Sequence, residues 1–365
     1  MDIQVLPLPE AQARTPLTED FGFCVHFANR MFTQRYSIGR GWHDARIEPF
    51  APFQLSPSTA VLHYAQLIFE GLKAYRRPDG DINLFRPMEN MRRFNNSARR
   101  MAMPTVDEEE HLEAICRLIE LESDWVPRSD EATLYIRPTL IATDDSLGVK
   151  ASATYLHYVI ISPAGPYFKE GFNPVPVYIT DEYVRAVPGG VGEAKTGGNY
   201  AASLYAGEDA RRRGYSQVLW LDALEHRWVE EVGAMNICFV YDGRRIVTPP
   251  LNGSILPGVT RKSVIELGRH LGYEVAEEMV DVHQMLADVK SGRVTEVFGC
   301  GTAAVIAPVG KLGFHDEAIV INDNQPGPVA HHLYQQLTDI QFGRLPDPFG
   351  WTYTIHAGNG RANGR

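Results

Sequence analysis

An amine nucleophile in this 365-residue chain has few candidates, because only seven of its 35 basic residues are lysines. One of them, Lys195, sits in Gly189-Gly-Val-Gly-Glu-Ala-Lys195-Thr-Gly-Gly-Asn-Tyr200. Small residues around a single lysine let a flat ligand approach both backbone and amine. A lysine with few charged neighbours can also be desolvated, which lowers its pKa and makes it a better nucleophile. The spacing matches neither GxxxxGK[ST] nor GxGxxG. Lys73, in His63-Tyr64-Ala-Gln-Leu-Ile-Phe69-Glu-Gly-Leu-Lys73-Ala-Tyr75, is the rival amine. Arg76 and Arg77 follow it, and it reads as a solvated residue.

Other segments supply complementary chemistry. Glu230-Glu231-Val-Gly opens an apolar run, and alternation along a strand allows only one of the two carboxylates to face a given pocket. Such a carboxylate suits a cationic ring nitrogen. In Pro249-Pro-Leu-Asn-Gly-Ser-Ile-Leu256-Pro-Gly258-Val-Thr260-Arg-Lys, a Pro-Gly turn leads into a helix whose first N–H groups, at Val259 and Thr260, can bind an anion. Glu296-Val-Phe-Gly299-Cys-Gly-Thr302-Ala-Ala places two glycines and a threonine after a strand, a second candidate oxyanion cup. Arg92 and Arg93 lie on a predicted helix where either could reach an anion, and Tyr135 and Arg137 point to one face of a predicted strand. Each segment has a purely structural explanation. Together, an isolated amine, a carboxylate and several phosphate donors are what pyridoxal 5'-phosphate requires.

The elements that must position these groups are legible in outline. Strands are expected at 80–86, 132–141, 154–162, 175–180, 216–222, 227–231, 234–241, 245–248, 294–298 and 303–308. Helices are expected at 88–102, 107–123, 200–213, 258–271 and 281–289. The first sixty residues, rich in Pro and turn formers, read as a wrapping rather than as the centre of a domain. Short turns between strands imply much antiparallel pairing. About 150 residues per domain favours two domains, and the Gly- and Pro-rich stretch 164–176 is the expected connector between 1–163 and 177–365, with a disordered tail at 356–365.

Composition narrows the class. The formal net charge of −10 and the absence of a basic cluster argue against nucleic acid or an anionic membrane as a partner. A hydrophobic content of 44% supports a sizeable core. The four scattered cysteines suggest neither a zinc site nor a disulfide framework, and the N-terminus has no signal-peptide pattern, so a cytoplasmic protein without a metal is expected.

The segments FEGLKAY (69–75), LFRP (84–87), LYIRP (134–138), GGVGEAKTGGNYAASL (189–204), EVGAMN (231–236), TPPLNGSILPGVTR (248–261) and EVFGCGTA (296–303) resemble the fold type IV (class IV) aminotransferases, and among them the branched-chain amino acid aminotransferases. The similarity runs from about Thr15 to Thr354. It implies a two-domain α/β (α+β) fold, with a smaller N-terminal α/β domain and a larger cofactor-binding domain of mostly antiparallel, barrel-like strands. It implies Lys195 as the Schiff-base lysine of pyridoxal 5'-phosphate, Glu231 at the pyridine nitrogen and Tyr200 at the phenolic oxygen. Arg93, Val259, Thr260 and Thr302 would hold the phosphate, and Leu256 would pack on the ring. Tyr64, Phe69, Tyr135 and Tyr167 resemble the apolar substrate wall. The Thr302–Ala303 turn with Tyr64 resembles the α-carboxylate site, and Arg137 matches the position for a distal carboxylate.

The implied reaction is ping-pong transamination of L-leucine, L-isoleucine and L-valine with 2-oxoglutarate, giving L-glutamate, by a homodimer. A D-amino acid aminotransferase or an aminodeoxychorismate lyase shares the fold, and a non-catalytic phosphate-binding module is the alternative outside it. Two departures stand out. Ala234 replaces a threonine found in many relatives, and Thr302-Ala-Ala-Val lacks the CxxC of animal relatives, so that thiol switch is expected to be absent.

Overall fold

The computed structural model describes residues 1–165, 167 and 172–356. The expected tail beyond His356, and most of the turn in the expected connector, lie outside the described residues. The chain forms two compact units, one of Met1–Tyr167, Ala194–Gly197 and Asp339–Arg365, the other of Phe168–Glu193 and Gly198–Thr338.

The first unit is built on a nine-stranded sheet. Its order is Gln4–Val5, Gly41–Pro49, Arg30–Ser37, Thr154–Ala164, Thr133–Ala142, Leu72–Arg76, Ile82–Phe85 and Thr352–Ile355, with Leu67–Phe69 also on Thr133–Ala142. All pairings except Gln4–Val5 with Gly41–Pro49 are antiparallel. The early residues therefore do more than wrap a domain. Arg30–Ser37 and Gly41–Pro49 are sheet strands, and Phe32 and Ile47 are fully buried in its core. Their alternation was obscured by Arg30, Arg35 and Arg46, which occupy the strands beside the buried residues.

Two helices cover this unit's core. Glu108–Leu121 begins at Asp107, whose side chain accepts from the N–H groups of Glu109 and Glu110, and three glutamates in its first turn complement the helix dipole. Its buried stripe includes Leu112, Ile115, Cys116, Leu118 and Ile119. Pro87–Arg100 starts with proline at its first position and buries Met91, Arg93 and Phe94.

The second unit has a mixed nine-stranded sheet: Val229–Val232, Gln217–Leu221, Val175–Thr180, Val305–Phe314, Val294–Gly301, Asn236–Tyr241, Arg245–Thr248 and Glu274–Glu277, with Glu317–Val320 on Val305–Phe314. Most of its pairings are antiparallel; Val175–Thr180 is parallel to both neighbours, and Arg245–Thr248 is parallel to Glu274–Glu277. Helices Val259–His270 and Val282–Lys290 pack in this unit. Among the described residues no helix is long and apolar enough to cross a membrane.

Candidate active site

In the first unit, Lys195 is pinned by its backbone. Its N–H donates to Ser97 Oγ at 2.9 Å, and its carbonyl accepts from Phe69 N–H at 3.0 Å. Thr196 bridges Ile68 and donates its hydroxyl to the Leu67 carbonyl at 2.7 Å. A Cβ on Gly197 would meet Leu67 at 3.2 Å, so the glycine permits this close approach. The lysine is half-buried, and Nζ lies 5.0 Å from the centre of the Phe69 ring.

Glu70, which the sequence reading passed over, organises this neighbourhood. It is fully buried and accepts from Arg93 Nε at 2.7 Å and Nη2 at 2.9 Å, and from Asn90 at 2.8 Å. Burial works to raise its pKa, but the charge and hydrogen bonds of Arg93, with smaller help from Lys195 and Asn90, hold it below the ordinary value. Of the two candidate arginines, Arg93 is thus the buried one, while Arg92 is exposed on Glu89 and Glu108.

Tyr135 and Arg137 share a face, as their spacing requires. Arg137 Nη2 donates to the Tyr135 hydroxyl at 2.9 Å, and its guanidinium lies 4.7 Å from the Phe69 ring centre. Gly71 is obligatory here, since a Cβ would sit 2.1 Å from the Tyr135 hydroxyl. Phe23, in the early region without a motif, packs edge-on against both Tyr135 and Tyr167, with ring centres 5.8 and 4.9 Å apart. Tyr64 is not gathered with this group: it is exposed, and its hydroxyl donates to the Leu147 carbonyl. Lys73 corrects the expectation of a solvated residue. It pairs in register with Tyr135, is only 6% exposed, and burial pushes its pKa down to about 8, with Cys24 opposing the shift.

In the second unit, Glu230 and Glu231 are both buried rather than at a solvated strand end. Their environments differ. Glu231 lies 3.0 Å from Arg185 Nε, accepts from Leu256 N–H at 2.7 Å and from Asn236 Nδ2 at 3.4 Å. Glu230 meets Asn252 at 3.1 Å, and burial raises its pKa. A carboxylate already held by a cation and two N–H donors is the one equipped to carry charge beside a ring nitrogen. Arg185 was missed because it lies in no recognisable pattern, and Asn236 closes the EVGAMN segment without having been assigned a role. Arg185 also donates to the carbonyls of Gly192 and Ser254, so one guanidinium ties Glu231 to the glycine loop and to the 248–258 segment.

Helix Val259–His270 begins at Gly258 with no side-chain cap, leaving the first N–H groups without an intrahelical acceptor, and Val259 and Thr260 are buried. Only glycine fits at 258, where a Cβ would lie 1.9 Å from Asn236 Oδ1. Thr302 and Ala303 lie in the turn between Val294–Gly301 and Val305–Phe314. Gly299 and Gly301 are within the strand rather than after it, and both leave room for the Met235 side chain. Tyr200 is half-buried in the first turn of helix Gly197–Arg212; the neighbouring Asn199 ties that turn to the glycine loop through the Val191 carbonyl at 2.8 Å.

Residues 67–312 match the family model for amino-transferase class IV. Branched-chain-amino-acid transaminase 1 of Bacillus subtilis (strain 168) is 52% identical over 341 residues, 93% of this chain and 96% of that protein. A probable branched-chain-amino-acid aminotransferase of Streptomyces coelicolor is 49% identical over 350 residues, 96% of each chain. Among solved structures, the branched-chain amino acid aminotransferase from Escherichia coli is similar with a TM-score of 0.71 at 28% identity, covering 89% of this chain and 98% of that one. The branched-chain aminotransferase from the thermophilic archaeon Thermoproteus uzoniensis, solved with norvaline, shares the fold with a TM-score of 0.75 at 24% identity, covering 90% and 100%. With both the family model and whole-length relatives in agreement, the chain belongs to the class IV aminotransferases, in their branched-chain amino acid group.

Proposed function

We propose that this protein transfers the amino group of L-leucine, L-isoleucine or L-valine to 2-oxoglutarate, forming the branched-chain 2-oxo acid and L-glutamate. The observation that carries this reading is the near-complete similarity to branched-chain aminotransferases. The local chemistry supports it. An uncapped helix start, a buried ion-paired carboxylate and a pinned lysine are the groups that pyridoxal 5'-phosphate needs.

Lys195 would hold the cofactor covalently, Glu231 would pair with its ring nitrogen, and Tyr200 with its phenolic oxygen. The Val259 and Thr260 amides, Thr302 and Arg93 would take the phosphate, with Leu256 against the ring. The assignment of these residues to one cofactor rests on the family and on the motifs they occupy. When bound, the cofactor supplies the carbonyl that takes up the substrate amine and the ring that accepts the electrons of the broken Cα–H bond. Lys195 Nζ would take the proton from the substrate Cα and pass it to the former carbonyl carbon of the cofactor. Its fixed backbone limits how far the amine must search. Glu231 would keep a proton on the ring nitrogen, and Arg185, 3.0 Å from its carboxylate, would stabilise it in that role.

Phe69, Tyr135, Tyr167 and Phe23 offer an apolar wall for a branched side chain, and Arg137 offers a cation for the distal carboxylate of 2-oxoglutarate. The Thr302–Ala303 turn would take the α-carboxylate, together with Tyr64. The exposed position of Tyr64 beside exposed Leu62, Leu147 and Val149 supports a homodimer in which this patch is covered. Four free cysteines, three of them buried, support a reducing, cytoplasmic setting.

The test is the rate of each half-reaction, followed by cofactor absorbance, with a panel of L- and D-amino acids. Fast conversion with the three branched-chain L-amino acids and L-glutamate supports the assignment. Preference for D-amino acids, or no conversion by protein that holds the cofactor, overturns it.

A further inference from the structure

A cleft of about 330 Å³ in the first unit gathers four arginines, Arg76, Arg77, Arg128 and Arg344, on a chain whose net charge is −10. It lies at the hairpin end of strand Leu72–Arg76, away from Gly71 and the groups around Lys195. Nothing in the transamination chemistry uses these residues.

The arginines are individually braced. Arg76 donates to the carbonyls of Gly80 at 3.0 Å, Val126 at 3.2 Å and Ser123, and its buried Nε has no hydrogen-bond partner among the described residues. Arg77 forks onto Asp79 and lies over Gly343, where a Cβ would come within 3.0 Å of its Nη1. Arg344 is fixed by Asp339 at 2.6 Å and lies 4.6 Å from the centre of the Phe342 ring.

Charge compensation is incomplete. Asp79 and Asp339 serve Arg77 and Arg344, and the exposed Asp130 approaches Arg344 only to 3.8 Å. Among the described residues, neither Arg76 nor Arg128 forms an ion pair. Burial first, and then the like charge of Arg128, pull the pKa of Arg76 below its ordinary value, with the exposed Asp124 opposing the shift. Two guanidiniums without an ion-pair partner among the described residues face one cleft, and a guanidinium fork matches the oxygens of a phosphoryl group.

We propose that this cleft is a second anion site, which takes the phosphoryl group of a small molecule and is distinct from the cofactor's phosphate site. Occupancy would neutralise Arg128 and Arg76 and fasten the 76–80 hairpin to the segments at 128 and 344. The holoenzyme is the right material, because its cofactor phosphate site is already filled.

Inorganic phosphate and pyrophosphate, titrated calorimetrically into the holoenzyme at low ionic strength, test this. The expected result is saturable binding, weakened by roughly tenfold or more in Arg128→Glu and in Arg344→Ala. Arg128 is exposed, so its replacement leaves the fold intact, as a thermal melt will verify, and anion-free turnover should be unchanged. No saturable binding of either anion up to about 10 mM, or binding that Arg128→Glu leaves unaltered, overturns the proposal.

Discussion

Arg185 and Glu231 form a buried ion pair, Nε to Oε2 3.0 Å, on a carboxylate that also accepts from the Leu256 N–H. The pair separates Glu231 from its neighbour Glu230, which has no arginine within ion-pair distance among the described residues and is pushed toward its neutral form by burial, with Asn252 and the more distant Arg185 opposing. Glu231→Ala should therefore slow both half-reactions on the order of 100-fold, against a small effect of Glu230→Ala. Stopped-flow traces of cofactor absorbance decide this, and equal effects would mean that the wrong face of the strand has been chosen.

Arg185 itself should act through Glu231. Arg185→Met leaves a buried carboxylate uncompensated, so a stability loss of about 3–5 kcal/mol is expected. Arg185→Lys should restore part of the activity, and the pH dependence of the holoenzyme spectrum should shift in Met and move back in Lys. A spectrum unchanged in both variants would reduce Arg185 to a brace for the Gly192 and Ser254 carbonyls.

Glu70 and Arg93 make a second buried pair, in bidentate geometry. Glu70→Gln keeps the volume but strands the guanidinium. Denaturant unfolding should show a loss of about 3–5 kcal/mol, with faster loss of cofactor on dialysis. Wild-type stability and cofactor retention would show that Arg93 does not depend on Glu70 for its position.

Arg137 should govern one substrate and spare the other. Arg137→Leu removes the cation beside Phe69 and Tyr135 while preserving an apolar surface. KM for 2-oxoglutarate should rise by roughly 10–100-fold, with little change for leucine. Parallel changes for both substrates in steady-state kinetics would count against this role.

His111 and His157 predict acid sensitivity. Their rings meet edge-on with centres 4.5 Å apart beside Phe94, and none of their four ring nitrogens has a hydrogen-bond partner among the described residues. Burial lowers His111 to about 3 and His157 well below its ordinary value. Both bases are thus neutral in the fold, while the unfolded chain protonates near its ordinary value of 6.5. The unfolded state binds more protons below that pH, so stability is full above about pH 6.5 and falls as pH drops toward 3. Each histidine contributes a slope of at most about 1.4 kcal/mol per pH unit. Urea midpoints measured from pH 7.5 to 5 should fall less steeply in His111→Phe than in wild type, and parallel slopes would refute the assignment.

The chemistry was more legible in the sequence than the connectivity that supports it. Lys195 and the Gly258–Thr260 helix start announce themselves because glycine, proline and an isolated charge mark close backbone approach, whereas the choice of Glu231 over Glu230 came from the family resemblance. Tyr135 and Arg137 followed from strand periodicity alone. Glu70, Arg185 and Phe23 did not, because a buried pair or an edge-on ring is created by tertiary contact and leaves no local pattern. The same reason hid two features of the fold. Thr352–Ile355 returns to pair with Ile82–Phe85, and the contacts of Ala194–Gly197 are with the first unit, whereas reading in chain order assigned both to the second half. The helix Pro328–Gln341 was also passed over; two histidines and five further polar residues, Gln335, Gln336, Thr338, Asp339 and Gln341, among its 14 residues weaken its apolar stripe.

Every role proposed above depends on Lys195, and not Lys73, being the amine that holds the cofactor. Borohydride reduction of the holoenzyme, followed by peptide mapping with mass spectrometry, reads this directly. A single phosphopyridoxyl-modified peptide is expected, carrying the group on Lys195. Modification at Lys73, or at any of the other five lysines in place of Lys195, would contradict it.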